Sequence, residues 1–180
     1  MNKVICIDGP AASGKSTVSK LIAEMSNIKY VDSGALYRIA TWQALEAGID
    51  TNDAEAVAKF ITSLKVDFVV KGNRVAYEVN GEEPGDKIRT PEINKHVSPV
   101  SAVPEVRTIV TKWLRDMRSI GDIVVEGRDI GSVVYPDSPY RFYLDADAET
   151  RTRRRHKEDI QKGFIQNEEQ VKASLLNRDK

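Results

Sequence analysis

One cysteine in 180 residues leaves no internal disulfide to staple the chain. Cys6 sits in the apolar run Val4-Ile5-Cys6-Ile7, where a small buried hydrophobe is the ordinary role and a ligand or nucleophile the rare one. Long apolar runs are missing as well: none approaches the roughly 18 residues that cross a bilayer, and the N-terminus enters a strand with no signal-peptide organisation. A cytoplasmic protein with no membrane partner is the expectation. Nor is either charge in excess. Lysine plus arginine number 27 and aspartate plus glutamate 27, which argues against a dedicated nucleic-acid binder while leaving room for local basic pockets. Repeats and low-complexity stretches are also absent. What remains, 41% hydrophobic and 30% charged residues, is the composition of a globular chain, and the length suits one domain with room for an inserted element.

Strands and helices alternate along it. Lys3 to Ile7 predicts a buried strand, because β-branched residues run up to the break at Asp8-Gly9-Pro10. From Ser16 onward, Val18, Leu21, Ile22 and Met25 mark the inward face of an amphipathic helix. A short strand from Ile28 to Val31 ends at Asp32-Ser33-Gly34. A helix from Ala35 to Ala47 follows, with Gly48 as its C′ residue, and Asp53 caps another whose inner face is Val57, Phe60, Ile61 and Leu64. The middle changes character: Val66 to Val70 and Val75 to Val79, broken by Gly72-Asn73 and closed by Asn80-Gly81, predict a small antiparallel insert. Helices are expected over 91–101 and from Val103 to Met117, the latter turning Val106, Ile109, Val110, Trp113, Leu114 and Met117 inward. Core strands are expected at Ile123 to Val125 and Arg141 to Leu144, then a helix from Asp147 and a last one opened by a capping box of Asn167 and Gln170. The sum is a three-layer α/β fold on a parallel sheet, with chemistry expected where the strands end. Asp8-Gly9, Asp32-Ser33-Gly34, Glu126 to Asp129 and Asp145 to Asp147 all fall there.

Gly9-Pro10-Ala11-Ala12-Ser13-Gly14-Lys15-Ser16, followed by Thr17, satisfies GxxxxGK with Ser or Thr, and it stands between a strand and a helix as a phosphate loop must. Backbone N–H groups of such a loop surround phosphates, Lys15 reaches the β- and γ-phosphates of ATP, and the Ser16 hydroxyl is offered to Mg²⁺. The bland alternative is a glycine turn capped by Ser16. A phosphate loop alone does not separate a hydrolysing switch from a kinase; a second anion site would. Phosphoryl transfer onto a phosphate needs cations around the acceptor, and planar arginine forks suit that task. Arg38, Arg89, Arg107 and Arg128 are the candidates. An arginine on a helix face, Arg107 among them, can equally be a solvated surface group, whereas Arg128 follows an apolar strand between Gly127 and Asp129, where a cleft position is expected.

Four blocks in one order, Asp8 to Thr17, Asp32-Ser-Gly-Ala-Leu-Tyr-Arg38, Ile88-Arg-Thr90 and Glu126-Gly-Arg-Asp-Ile-Gly-Ser-Val-Val134, resemble the bacterial cytidylate kinases from the first strand to the last residue. The second and fourth blocks are far more specific than the phosphate loop. The resemblance implies transfer of the ATP γ-phosphoryl to CMP or dCMP by a phosphotransferase, and a monomer is the expectation. It implies a single P-loop kinase domain over 1–180, with the acceptor-binding insert at about 35–103 and a helical lid beginning at about 151–180. It also implies Ser98, Arg107 and Asp129 on the cytosine, Arg38, Arg128 and Arg178 near the acceptor phosphate and Ser33 in the acceptor pocket. Base chemistry agrees: a carboxylate such as Asp129 accepts the cytosine N4 hydrogen while Arg107 donates to the ring, and uracil would face it with a carbonyl. A structural partnership of Asp129 with Arg128 or with a helix N-terminus is the alternative. The run Arg151 to Lys157 reads as a solvated helix face, a targeting patch or, with Arg154 and Arg155 as the favoured pair, the cover over the donor phosphates. Family members continue past the equivalent of Lys180 with more lid residues, a strand and a helix, so that part of the family fold is expected to be absent here. The rivals are a P-loop kinase with another acceptor, such as AMP, UMP or shikimate, and a non-catalytic nucleotide-binding protein.

Overall fold

The computed structural model describes residues 1–180. Strand β1 (Val4–Asp8) runs into the phosphate loop, and helix α1 (Lys15–Ser26) leaves it. Next come β2 (Lys29–Asp32), α2 (Ser33–Glu46) and α3 (Ala54–Ile61), then the hairpin of β3 (Asp67–Lys71) and β4 (Arg74–Glu78). Helices α4 (Pro91–Ala102) and α5 (Pro104–Asp116) precede β5 (Ile123–Gly127), β6 (Tyr140–Tyr143), α6 (Ala148–Gln161) and α7 (Glu168–Arg178).

The sheet has six strands in the order β3-β4-β2-β5-β1-β6. Only β3 and β4 pair antiparallel; β1 lies parallel to β5 and β6, and β2 parallel to β5 and β4. The predicted insert is therefore part of the central sheet and no separate element, because β4 docks on β2 at the Tyr30 and Arg74 register. Its turns follow from residue type. Gly72 (φ 60°) closes the hairpin, while Asn80 (φ 54°) and Gly81 (φ 82°) close a narrower loop at Val79 and Glu82. The main core lays α2 on the sheet and packs α5 and α3 against it and each other, through Leu36, Ile39, Val57, Ile61, Val106, Val110 and Leu114. Cys6 belongs to it as a buried apolar residue, paired across the sheet with Val125.

Helix starts obey their caps. Asp32, Asp53, Thr90, Asp147 and Asn167 each accept a backbone N–H from the first turn that follows, and Asn167 with Gln170 completes the expected capping box. Because Asp32 is the cap, α2 begins at Ser33, two residues ahead of the predicted start.

Two expectations fail. Helix α1 buries Lys15, Ser19 and Ala23, spaced four apart, and leaves Leu21 51% and Met25 83% exposed, with Val18 beside them. The small stripe wins because it lets the helix lie close on β5 and β2, which a Leu and Met face would not allow. Likewise Arg141 to Leu144 is no core strand. It corresponds to β6, the sheet edge, where Phe142 is 58% and Tyr143 69% exposed.

These placements predict contrasting leucine truncations in urea unfolding. Leu36→Ala, at a fully buried position, should lower stability by about 2–5 kcal/mol, whereas Leu21→Ala should change it by no more than about 0.5 kcal/mol. Equal losses would contradict the packing of α1.

Candidate functional site

The loop between β1 and α1 turns through three left-handed positions, Gly9 (φ 153°), Ala12 (φ 60°) and Gly14 (φ 97°). At Gly9 a Cβ would lie 2.0 Å from the Leu144 carbonyl oxygen, so glycine alone fits there. The Ser13 hydroxyl is buried without a partner. Lys15 is buried and donates from Nζ to the Pro10 carbonyl at 2.6 Å; burial pushes its ammonium down to about 8 against the pull of Glu126. A charged donor folded onto its own loop and an orphaned hydroxyl are what an anion held by the loop would satisfy.

Two cavities open on either side of Lys15. The donor-side cavity, about 910 Å³, is lined by Ala12, Ser13, Gly14, Lys15, Ser16 and Thr17 and roofed by Arg154 and Arg155 from α6. Arg154 approaches the loop so closely that its Nη1 would be 3.7 Å from a Cβ on Gly14. The acceptor-side cavity, about 480 Å³, gathers Ser33, Arg38, Ser98, Arg107, Arg128, Asp129 and Arg178. Every acceptor residue expected from the sequence thus lines one space, although these side chains span 145 positions from Ser33 to Arg178. Three loop residues depart from the expected donor set. Ala11 lines the acceptor side, and Gly9 and Pro10 face a smaller cavity shared with Arg128 and Arg151.

The arginines crowd one another. Arg38 is buried, donates to the Ile88 carbonyl at 3.1 Å, and is pushed down to about 10 by burial and then by the charges of Arg89 and Arg155. Arg178 makes no side-chain hydrogen bond and is pushed down to about 9 by burial, Arg38, Arg128 and Arg155. Like charges gathered under low solvation, with few protein partners, make a site for an anion.

At the other end of this cavity, Arg107 on α5 pairs with Asp129, which settles the structural partner of that carboxylate as Arg107 in place of Arg128 or a helix terminus. Tyr37 lies beside the pair, burial raising its phenol. Ser33 donates to the Glu126 carbonyl at 2.6 Å, and a Cβ on Gly127 would strike its hydroxyl at 2.5 Å.

Carboxylates that sequence reasoning marked only as strand ends do the positioning. Asp8 accepts from the backbone N–H groups of Ile130 and Gly131, both at 2.8 Å, and so holds the wide turn Ile130–Val134 that follows Arg128 and Asp129. Glu126, buried beside Asp32, accepts from Ser16 Oγ at 2.7 Å and from the Tyr30 hydroxyl; burial and the Asp32 charge raise its carboxyl. Arg151, one of the basic run, is buried and pairs with Asp179 at 2.7 Å, while Arg128 donates to the Arg178 carbonyl at 3.0 Å. These bonds tie the end of α7 to α6 and to the loop after β5. Val171 and Leu175 of α7 pack on Ala11, and Arg151 of α6 donates to the Ala11 carbonyl at 3.4 Å, so both helices touch the phosphate loop.

Comparison with known proteins agrees with this geometry. The family model described as cytidylate kinase matches residues 5–180. A cytidylate kinase of Mycolicibacterium paratuberculosis is 45% identical over 98% of this chain and 78% of its own length. Those of Clostridioides difficile and Bacillus thuringiensis are each 39% identical, over 99% and 98% of this chain and 81% and 78% of their own.

The two bonds to Asp8 give a direct prediction. Asp8→Asn leaves one amide N–H facing an NH₂ group, which should weaken CMP binding by about 1–3 kcal/mol and leave ATP binding less affected, as titration calorimetry will report. Equal loss for both nucleotides would contradict a role centred on the loop after β5.

Proposed function

The chain belongs to the cytidylate kinase family, and from that premise we infer that it transfers the γ-phosphoryl of ATP to CMP or dCMP, with residue roles as follows. The observation that carries them is the arginine cluster, whose members repel one another around a cavity contiguous with the phosphate loop. In this reading the loop from Gly9 to Thr17 and Lys15 cradle the donor phosphates, with Arg154 and Arg155 above them. Gly9 and Pro10 serve through the loop's shape rather than by lining the donor cavity. Arg38, Arg128 and Arg178 hold the acceptor phosphate, Ser33 borders it, and Ser98, Arg107 and Asp129 read the base.

Positioning and electrostatic stabilisation are then sufficient for the chemistry. The acceptor phosphate is already ionised at neutral pH, so no general base is needed. Lys15 and Arg128 offset the charge that gathers between donor and acceptor. Helices α6 and α7 form the lid, with α7 seated on Ala11, and its closure over the nucleotides would keep water from the γ-phosphoryl. Mg²⁺ fits beside the loop, where the Ser16 hydroxyl and the Glu126 carboxylate that accepts from it are the hard oxygen donors it would take. When bound there, it neutralises charge on the donor phosphates. In this reading the enzyme works as a monomer in the cytoplasm. No helix is long and apolar enough to cross a membrane.

Base recognition is tested by initial rates with CMP, dCMP, UMP and AMP. CMP and dCMP should lead, because uracil would leave the Asp129 carboxylate facing a carbonyl. Equal turnover of UMP would sink the assignment. Asp129→Ala should reduce the CMP over UMP preference by about 10-fold or more, and an unchanged ratio removes Asp129 from the base. Lys15→Ala should lower kcat by about 10²-fold or more while CMP binding persists, and loss of both together would point to the fold.

A further inference from the structure

The donor and acceptor cavities share few side chains: Lys15, Ser16, Asp32, Arg89 and Arg155, with Ala12. Three of them are cations. Lys15 and Arg155 come from the loop and α6, on the donor side. Arg89 arrives from the opposite side, between the helical turn Gly85–Ile88 and Thr90, the cap of α4.

Resting on the kinase function above, we propose that Arg89 is a further catalytic residue, contacting the phosphoryl group as it passes between the nucleotides. Its Nη2 donates to Asp32 Oδ2 at 2.8 Å, and this is its only side-chain hydrogen bond. The remaining donors of the fork are free, and the side chain is 43% exposed toward the shared space. Asp32 is a fixed post. Its other carboxylate oxygen caps α2 through Ala35 N at 3.0 Å, and its carbonyl accepts from Tyr77 on β4 at 2.8 Å. Anchored at one corner, the guanidinium presents a flat edge of donors where an anionic group crosses from one cavity to the other. That geometry suits the three equatorial oxygens of a phosphoryl group in transit, which carry the developing charge. Arg38 and Arg178 lie deeper on the acceptor side and Arg154 on the donor side, so none of these stands at the junction from the acceptor face.

A probe with cytidine and adenosine joined through a pentaphosphate chain fills both cavities and lays phosphates across the junction. Its Kd, and those of CMP and ADP alone, are to be measured by calorimetry for the wild type, Arg89→Ala and Arg89→Lys. Arg89→Ala should weaken the joined probe by about 10²-fold beyond the product of its losses for CMP and ADP, with kcat falling in parallel. Arg89→Lys should recover part of this, since it keeps the charge and loses the fork. Losses that merely multiply, or unchanged binding of all three with a lowered Tm, would overturn the proposal and make Arg89 a structural partner of Asp32. Failure of the wild type to bind CMP or the joined probe would overturn the kinase function, and the role of Arg89 with it.

Discussion

Coulomb repulsion is the constraint on which the rest of this structure depends. Two phosphates do not approach each other unless cations lie between and around them, and cations gathered for that purpose repel one another in turn. Unit charges about 4 Å apart cost ~4 kcal/mol at an effective dielectric of about 20. Burial, with repulsion of this kind from neighbouring arginines added to it, holds Arg38 and Arg178 below their ordinary values. Something must keep them in place. The fold does so with carbonyls and carboxylates placed behind them: Ile88 O behind Arg38, and Asp179 and the Arg178 carbonyl beside Arg128.

The parallel sheet makes that arrangement rigid. Asp8, Asp32 and Glu126 end three adjacent strands, and each sends its side chain to a different part of the site. Asp8 holds the loop of Arg128 and Asp129, Asp32 caps α2 and anchors Arg89, and Glu126 meets Ser16. A shift of any one strand would break the register that sets the three side by side. The site is thus dispersed along the chain yet built on the least deformable part of the fold.

Local signals were legible in the sequence and long-range ones were not. The phosphate loop, the Gly72-Asn73 hairpin and the caps at Asp53, Asp147 and Asn167 each depend on a few neighbouring residues whose backbone chemistry decides the outcome. The acceptor set was reached through motif resemblance, and the structure brings its members into one cavity. Glu126 was visible only as the end of a strand, because its partners Ser16 and Tyr30 lie 110 and 96 residues away. The pair of Arg151 with Asp179 was hidden for the same reason. The inner face of α1 was misjudged on a different ground: hydrophobicity marks Val18, Leu21 and Met25, while close approach to the sheet selects Ser19 and Ala23. At β6, the apolar sequence reads alike for a core strand and an edge strand, and the order of the sheet decides it.

The central claim is that the phosphate held by the loop passes directly to a phosphate held by the arginines, with water kept out. Phosphorus NMR of the protein with ATP, Mg²⁺ and CMP follows every phosphate at once. The account predicts ADP and CDP rising together in equal amounts with no inorganic phosphate signal. Inorganic phosphate accumulating with ADP while CMP stays unchanged would contradict it.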